Sequence, residues 1–272
     1  MSLAESERYN NLIYVNEKRQ ARDIFDNSLE RVFSRLARIE TGGTEENIPE
    51  KGRLVVAFMP HSGFLEPILV DKVLSEKRGG PAVWVTKKES KDLPDFLLSS
   101  RRFIYVDREN PGPSSVRAVN NVLKNPDGTI ASALEGTRYS NPENPNDVLT
   151  LGKSLPGLMR FSYESRAPIV GVVVLGVDKI LPSLDKAVKE KGMGEALKLV
   201  AKGIISPVDV QMRFLPPYND HLSEIANGIN NKKNDFIERH NERFTDQLIE
   251  EIRKIDPSYP FGFYMDKFSP EL

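Results

Sequence analysis

Six short strand-like runs, separated by segments of helical period, most constrain what this chain can fold into. They are Arg53 to Met59, Pro81 to Thr86, Phe103 to Val106, Thr129 to Leu134, Pro168 to Leu175 and Val208 to Phe214. Each has the length of a buried strand. Phe64 to Glu76, Ser114 to Lys124, Leu155 to Glu164 and Leu184 to Gly203 read as helices, and Asn234 to Ile255 as a long amphipathic one. Pro113, just before Ser114, is a helix-start signal. Asn141 to Asp147, with two prolines and three asparagines, reads as a loop. Strands alternating with helices predict an α/β fold: a central mixed, mostly parallel sheet covered by helices on both faces.

The amino-terminal part has a different pattern. Phe25, Leu29, Val32, Phe33, Leu36 and Ile39 recur at three- to four-residue spacing, with Arg31, Arg35 and Arg38 off that stripe. This predicts a helix over residues 10–40. It either docks on the main domain or lies at a lipid surface with its arginines near anionic head groups. Thr41 to Gly52 reads as a linker. The expected division is an N-terminal helical segment over 1–45 and an α/β domain over 46–272.

The formal net charge of −1 gives no overall electrostatic drive toward nucleic acid, which is not an expected partner. The chain has no cysteine, which excludes disulfides, a thiolate nucleophile and cysteine-ligated metal. Three separated histidines, His61, His221 and His240, make a poor zinc set. His240 falls on the stripe of Phe236, Phe244 and Leu248 and reads as a packing residue. The longest apolar runs fall short of the roughly 20 residues that a membrane span needs. Glu5, Glu7 and Arg8 leave no signal-peptide core at the start. The expected location is cytoplasmic, either free or peripheral at a membrane surface.

In parallel sheets the ligand sits at the carboxyl ends of the strands. Three charged clusters fall at such ends: His61 to Glu66, Asp107–Arg108, and Glu135 to Arg138. A helix-initial carboxylate at Glu66 can fold back onto the His61 imidazole, fix its tautomer and leave the other ring nitrogen as a base. On spacing alone the pair is equally a surface histidine near a glutamate that the helix dipole favours. Gly136 permits a tight turn, and Thr137, Arg138 and Arg108 can donate to phosphate oxygens. Each cluster alone is also consistent with an ordinary turn and a surface ion pair. Gly152-Lys153-Ser154 looks like the end of a P-loop, but Asp147 stands where that motif needs glycine. No Gly-x-Ser-x-Gly elbow is present.

Taken in order, the clusters resemble the four blocks of the glycerolipid acyltransferase family, whose best-known members acylate lysophosphatidic acid. The first block, Asn-His-x4-Asp, is matched by Pro60-His61-Ser62-Gly63-Phe64-Leu65-Glu66. The second, a hydrophobic stretch ending in arginine, is matched by Phe103 to Arg108. The third, Phe-Pro-Glu-Gly-Thr-Arg-Ser, is matched by Ala133-Leu134-Glu135-Gly136-Thr137-Arg138. The fourth, Val-Pro-Ile-Val-Pro-Val, is matched by Ala167-Pro168-Ile169-Val170-Gly171-Val172, and Lys153 with Gly157 resembles the family's Lys-x-Gly stretch.

The resemblance covers roughly residues 50–215. It implies an O-acyltransferase of phospholipid biosynthesis. His61 would deprotonate the acceptor hydroxyl and Glu66 would orient it. The co-substrate would be acyl-CoA or acyl-carrier protein and the acceptor a lysolipid, with no further cofactor and no metal. Arg108, Glu135, Gly136, Thr137 and Arg138 would line the acceptor's phosphate site, with Lys153 nearby and Pro168 on the acyl-donor side. Since Glu135 is itself negative, it would position Arg138 or a backbone turn. Glu66 in place of aspartate, Pro60 in place of asparagine, Arg102 where glycine is usual, and Ala133-Leu134 in place of Phe-Pro depart from the pattern and leave the acceptor head group open. A lipid- or acyl-thioester-binding protein with impaired catalysis, or an acyl-thioester hydrolase, are the alternative expectations.

Overall fold

The computed structural model describes residues 13–14, 37–61, 65–87, 102–106, 113–135, 151–177, 179, 207–228 and 232–264. Within them eight strands form one sheet: β1 (Ile13–Tyr14), β2 (Ala37–Gly42), β3 (Leu54–Met59), β4 (Val83–Lys87), β5 (Arg102–Val106), β6 (Thr129–Ala133), β7 (Ile169–Leu175) and β8 (Val208–Phe214). Six described α-helices accompany them: α1 (Thr44–Asn47), α2 (Leu65–Arg78), α3 (Pro113–Lys124), α4 (Gly157–Ser165), α5 (Asp220–Ala226) and α6 (Lys233–Ile255). The spatial order is β1-β5-β4-β6-β3-β7-β8-β2. The central five, β5-β4-β6-β3-β7, are mutually parallel. At the edges β1 runs antiparallel to β5, β8 antiparallel to β7, and β2 parallel to β8. The sheet is therefore mixed and mostly parallel, as the alternation of strands and helices predicts.

All six residues of β3 are buried, because both of its faces are covered. Leu54, Val56 and Phe58 pack with Ile68, Leu69 and Leu74 of α2 on one face. Val55, Ala57 and Met59 pack on the other with Ala118, Val119 and Leu123 of α3, Leu158 and Met159 of α4, and the apolar stripe of α6. The helix α2 carries Glu66 in its first turn and Lys77 and Arg78 in its last, the arrangement its dipole favours. Asp71 of α2 accepts hydrogen bonds from the Ala82 amide and the Trp84 indole, both at 3.1 Å, and so ties the helix to the start of β4.

Two expectations for the amino-terminal part change. Residues 13–14 and 37–40, expected in a helix over 10–40, are strands, and Thr41–Gly42, expected in a linker, completes β2. The arginine read as the polar side of a helix, Arg38, instead lies beside its register partner Asp209 on β8 at 2.8 Å, and Arg213 reaches Glu40 at 2.6 Å. Cross-strand charge pairs of this kind suit an edge strand. The rest of the 10–40 stripe, the expected helix over 184–203 and the loop 141–147 lie outside the described residues.

Candidate active site

The chain leaves β3 through α2 toward β4, on one face, and leaves β6 through α4 toward β7, on the opposite face. Since β3 and β6 are neighbours, their carboxyl ends border the crevice where outgoing connections diverge, which is where open α/β sheets bind ligands. His61 stands just past the end of β3, after a cis Met59–Pro60 peptide. Glu135 stands just past the end of β6. The Leu134 amide bonds to the Phe58 carbonyl at 3.0 Å, so the two strand ends stay in register up to the site.

Glu135 is 3% exposed, and both of its oxygens are used. Oε2 accepts the backbone N–H of His61 at 2.7 Å, and Oε1 accepts the backbone N–H of Gly152 at 2.6 Å. Burial pushes its carboxyl up to about 8, the two amide bonds oppose that rise, and the charge of Glu66 adds to it. Glu66 is itself fully buried, in the first turn of α2. The two buried acidic residues thus interact electrostatically, and Glu135 joins them to the main chain of His61, a residue partly open to solvent. The imidazole ring packs edge-on against Phe58, with centroids 5.5 Å apart and planes at 89°.

The other expected site residues separate into three groups. Arg108, Gly136, Thr137 and Arg138 lie outside the described residues. The strand leading to Arg108 ends at Val106, at the same end of the sheet and two strands from β6. Lys153 is exposed, its ammonium 5.7 Å from the Phe263 ring centroid. It borders a cleft of about 410 Å³ against α6 and Tyr264, whose described lining includes neither His61 nor Glu66. Pro168, expected on the acyl-donor side, stands at the amino end of β7, where its carbonyl accepts the Val55 amide at 3.0 Å. That is the opposite end of the sheet from His61, on the order of 15–20 Å away along the strands. Parallel pairing of β3 with β7 forces this separation, since a residue before one strand cannot meet a residue after its neighbour.

Gly152 is the participant that sequence reasoning missed. Its role is a backbone N–H directed at a carboxylate 17 residues earlier, which no local pattern encodes. The segment around it is held on both sides: Leu155 N–H bonds to the Leu134 carbonyl at 2.9 Å, and Ser154 N–H to the Tyr264 hydroxyl at 2.8 Å.

The remaining histidines form a second, fully buried group. Ser162 donates its only hydroxyl proton to the Ala167 carbonyl at 2.5 Å, so its oxygen receives the Nε2–H of His221 at 2.7 Å. His240 places Nδ1 2.6 Å from the Tyr218 hydroxyl and Nε2 3.2 Å from Glu224, and it packs on Phe236 as its stripe position predicts. Burial, reinforced by His240, holds His221 down to about 4. An unfolded chain therefore binds this proton first. The stability His221 contributes is complete above pH 6.5 and is lost as pH falls from 6.5 toward 4. Thermal unfolding followed across that window should show a smaller acid-induced drop in Tm for His221→Gln than for the wild type; equal drops would refute the assignment.

No family model matches the chain, and no curated protein matches it. Among solved structures, the chain is similar to the crystal structure of the 1-acyl-sn-glycerophosphate (LPA) acyltransferase, PlsC, from Thermotoga maritima. The identity is 14%, the match covers 91% of this chain and 86% of that one, and the TM-score is 0.48.

Proposed function

We propose that this chain is an O-acyltransferase that moves a fatty acyl group from a thioester to the hydroxyl of a lysolipid. The observation that carries the reading is a partly open histidine at the carboxyl end of β3, at the sheet's switch point, its main chain bonded to the buried Glu135, which in turn feels the charge of the buried Glu66. The ordered blocks from His61 to Val172 support it.

In this reading His61 takes the proton of the acceptor hydroxyl as its oxygen attacks the thioester carbonyl. The carbon–sulfur bond breaks, an ester forms, and the thiolate leaves and takes the proton from the imidazolium. Glu66, buried in the first turn of α2, stabilises the imidazolium while it exists. Acyl-CoA or acyl-carrier protein is the donor. Arg108, Thr137 and Arg138 supply donors for a phosphate on the acceptor.

The test is an assay with acyl-CoA and acyl-carrier protein donors and a panel of lysolipids that differ in head group, following thiol release and lipid product together. Thiol release that depends on acceptor and matches ester formed supports transfer. Thiol release at the same rate with and without acceptor would make the protein a hydrolase instead. Flotation of the whole chain with anionic and neutral liposomes reads out contact with a membrane surface.

A further inference from the structure

We infer that Glu135 is a positioning residue, a buried carboxylate that locks the turn carrying His61 to the 151–155 segment through two backbone amides, and not a ligand of the acceptor. A carboxylate that binds substrate needs access from the crevice. Here Oε2 faces the His61 amide at 2.7 Å and Oε1 the Gly152 amide at 2.6 Å, and the side chain is 3% exposed. Two amide donors leave neither oxygen placed to carry a proton, so the geometry is that of the ionised carboxylate, held against the burial that raises its carboxyl to about 8. A negative oxygen would also repel a phosphate brought against it.

The bond to His61 acts on the residue's own main chain, so it sets the position of that Cα and hence of the ring. The bond to Gly152 carries the constraint further. Ser154, two residues on, is held by the Tyr264 hydroxyl, accepts from Asn241 of α6 at 2.9 Å, and lies in hydrogen-bond contact with the Thr245 hydroxyl of α6, also at 2.9 Å. The turn after β3 is thereby referenced to α6 and the end of the described chain through one side chain. Glutamate is required for this at position 135. Glutamine keeps one acceptor but turns an NH₂ group toward the second N–H, and aspartate is one methylene too short to span both.

The first arm of the test is amide NMR on the intact protein. In the wild type the His61 and Gly152 amide protons should lie downfield and exchange slowly, and in Glu135→Gln at least one should move upfield and lose protection. An unprotected His61 or Gly152 amide in the wild type, or two unmoved resonances in the variant, would overturn the inference. The wild-type measurement stands even if the variant folds poorly. The second arm is kinetic and rests on the acyl-transfer reading. Glu135→Gln should lower kcat about 10- to 100-fold, the scale expected for a displaced catalytic group, with KM for the acceptor changed less than about threefold. An acceptor KM raised tenfold or more at unchanged kcat would make Glu135 an acceptor ligand and overturn it. If the wild type transfers no acyl group while both amides are held, the proposed function fails and the backbone clamp remains.

Discussion

His61→Ala is expected to lower acyl transfer by about a thousandfold or more, within the range a positioned general base contributes. Folding should be nearly untouched. The backbone N–H that His61 gives to Glu135 is supplied equally well by alanine. The edge contact of the imidazole ring with Phe58 is worth about 1 kcal/mol. The measurement is turnover under saturating donor and acceptor, with thermal unfolding on the same preparation. Turnover within tenfold of the wild type would remove His61 as the base. A collapse of both activity and Tm would instead make its contribution structural.

The second large effect concerns stability. Gly171→Val in β7 is expected to destabilise the protein by about 3 kcal/mol. A Cβ at this position would lie 2.8 Å from Leu248 Cδ2 and 3.3 Å from Phe244 Cε2, both on α6 and both buried. In an unobstructed strand the replacement would be favourable, because glycine weakens strands and valine favours them. The sign of the change therefore reports the approach of α6. Urea unfolding would measure it. Combining Gly171→Ala with Leu248→Ala should cost less than the sum of the single changes, since the new methyl enters the space the leucine vacates. Additivity within about 0.5 kcal/mol would show that the two residues do not compete for one volume.

Legibility in the sequence followed the range over which each feature is encoded. β3 to β7 were readable because a buried parallel strand is a continuous apolar run with turn residues beside it, and β8 because its apolar residues Val208, Val210, Met212 and Phe214 alternate with polar ones. The helices α2, α3 and α6 were readable to within a residue or two because their stripes repeat over several turns. β1 and β2 were not. β2 is an edge strand whose middle residues are exposed, so it has no apolar run, and its charges answer to Asp209 and Arg213, some 170 residues later in the chain. An arginine with a partner at that distance looks in sequence like the solvent side of a helix.

The candidate site divides in the same way. The residue types of the reaction, His61 and Glu66 beside a turn and Glu135 after a strand, were set by sequence alone, because each lies within a few residues of a strand end. Which of them meet was decided by the sheet. Adjacent parallel pairing of β3 and β6 brings Glu135 to the His61 amide, and parallel pairing of β3 and β7 sends Pro168 to the far end. Gly171 is the imprint of α6 lying against β7. A sequence carries the chemistry a residue can perform and the local element it sits in. Strand order, and with it the direction of each outgoing connection, arises only when non-local pairs form, and it determines which of those residues share a crevice.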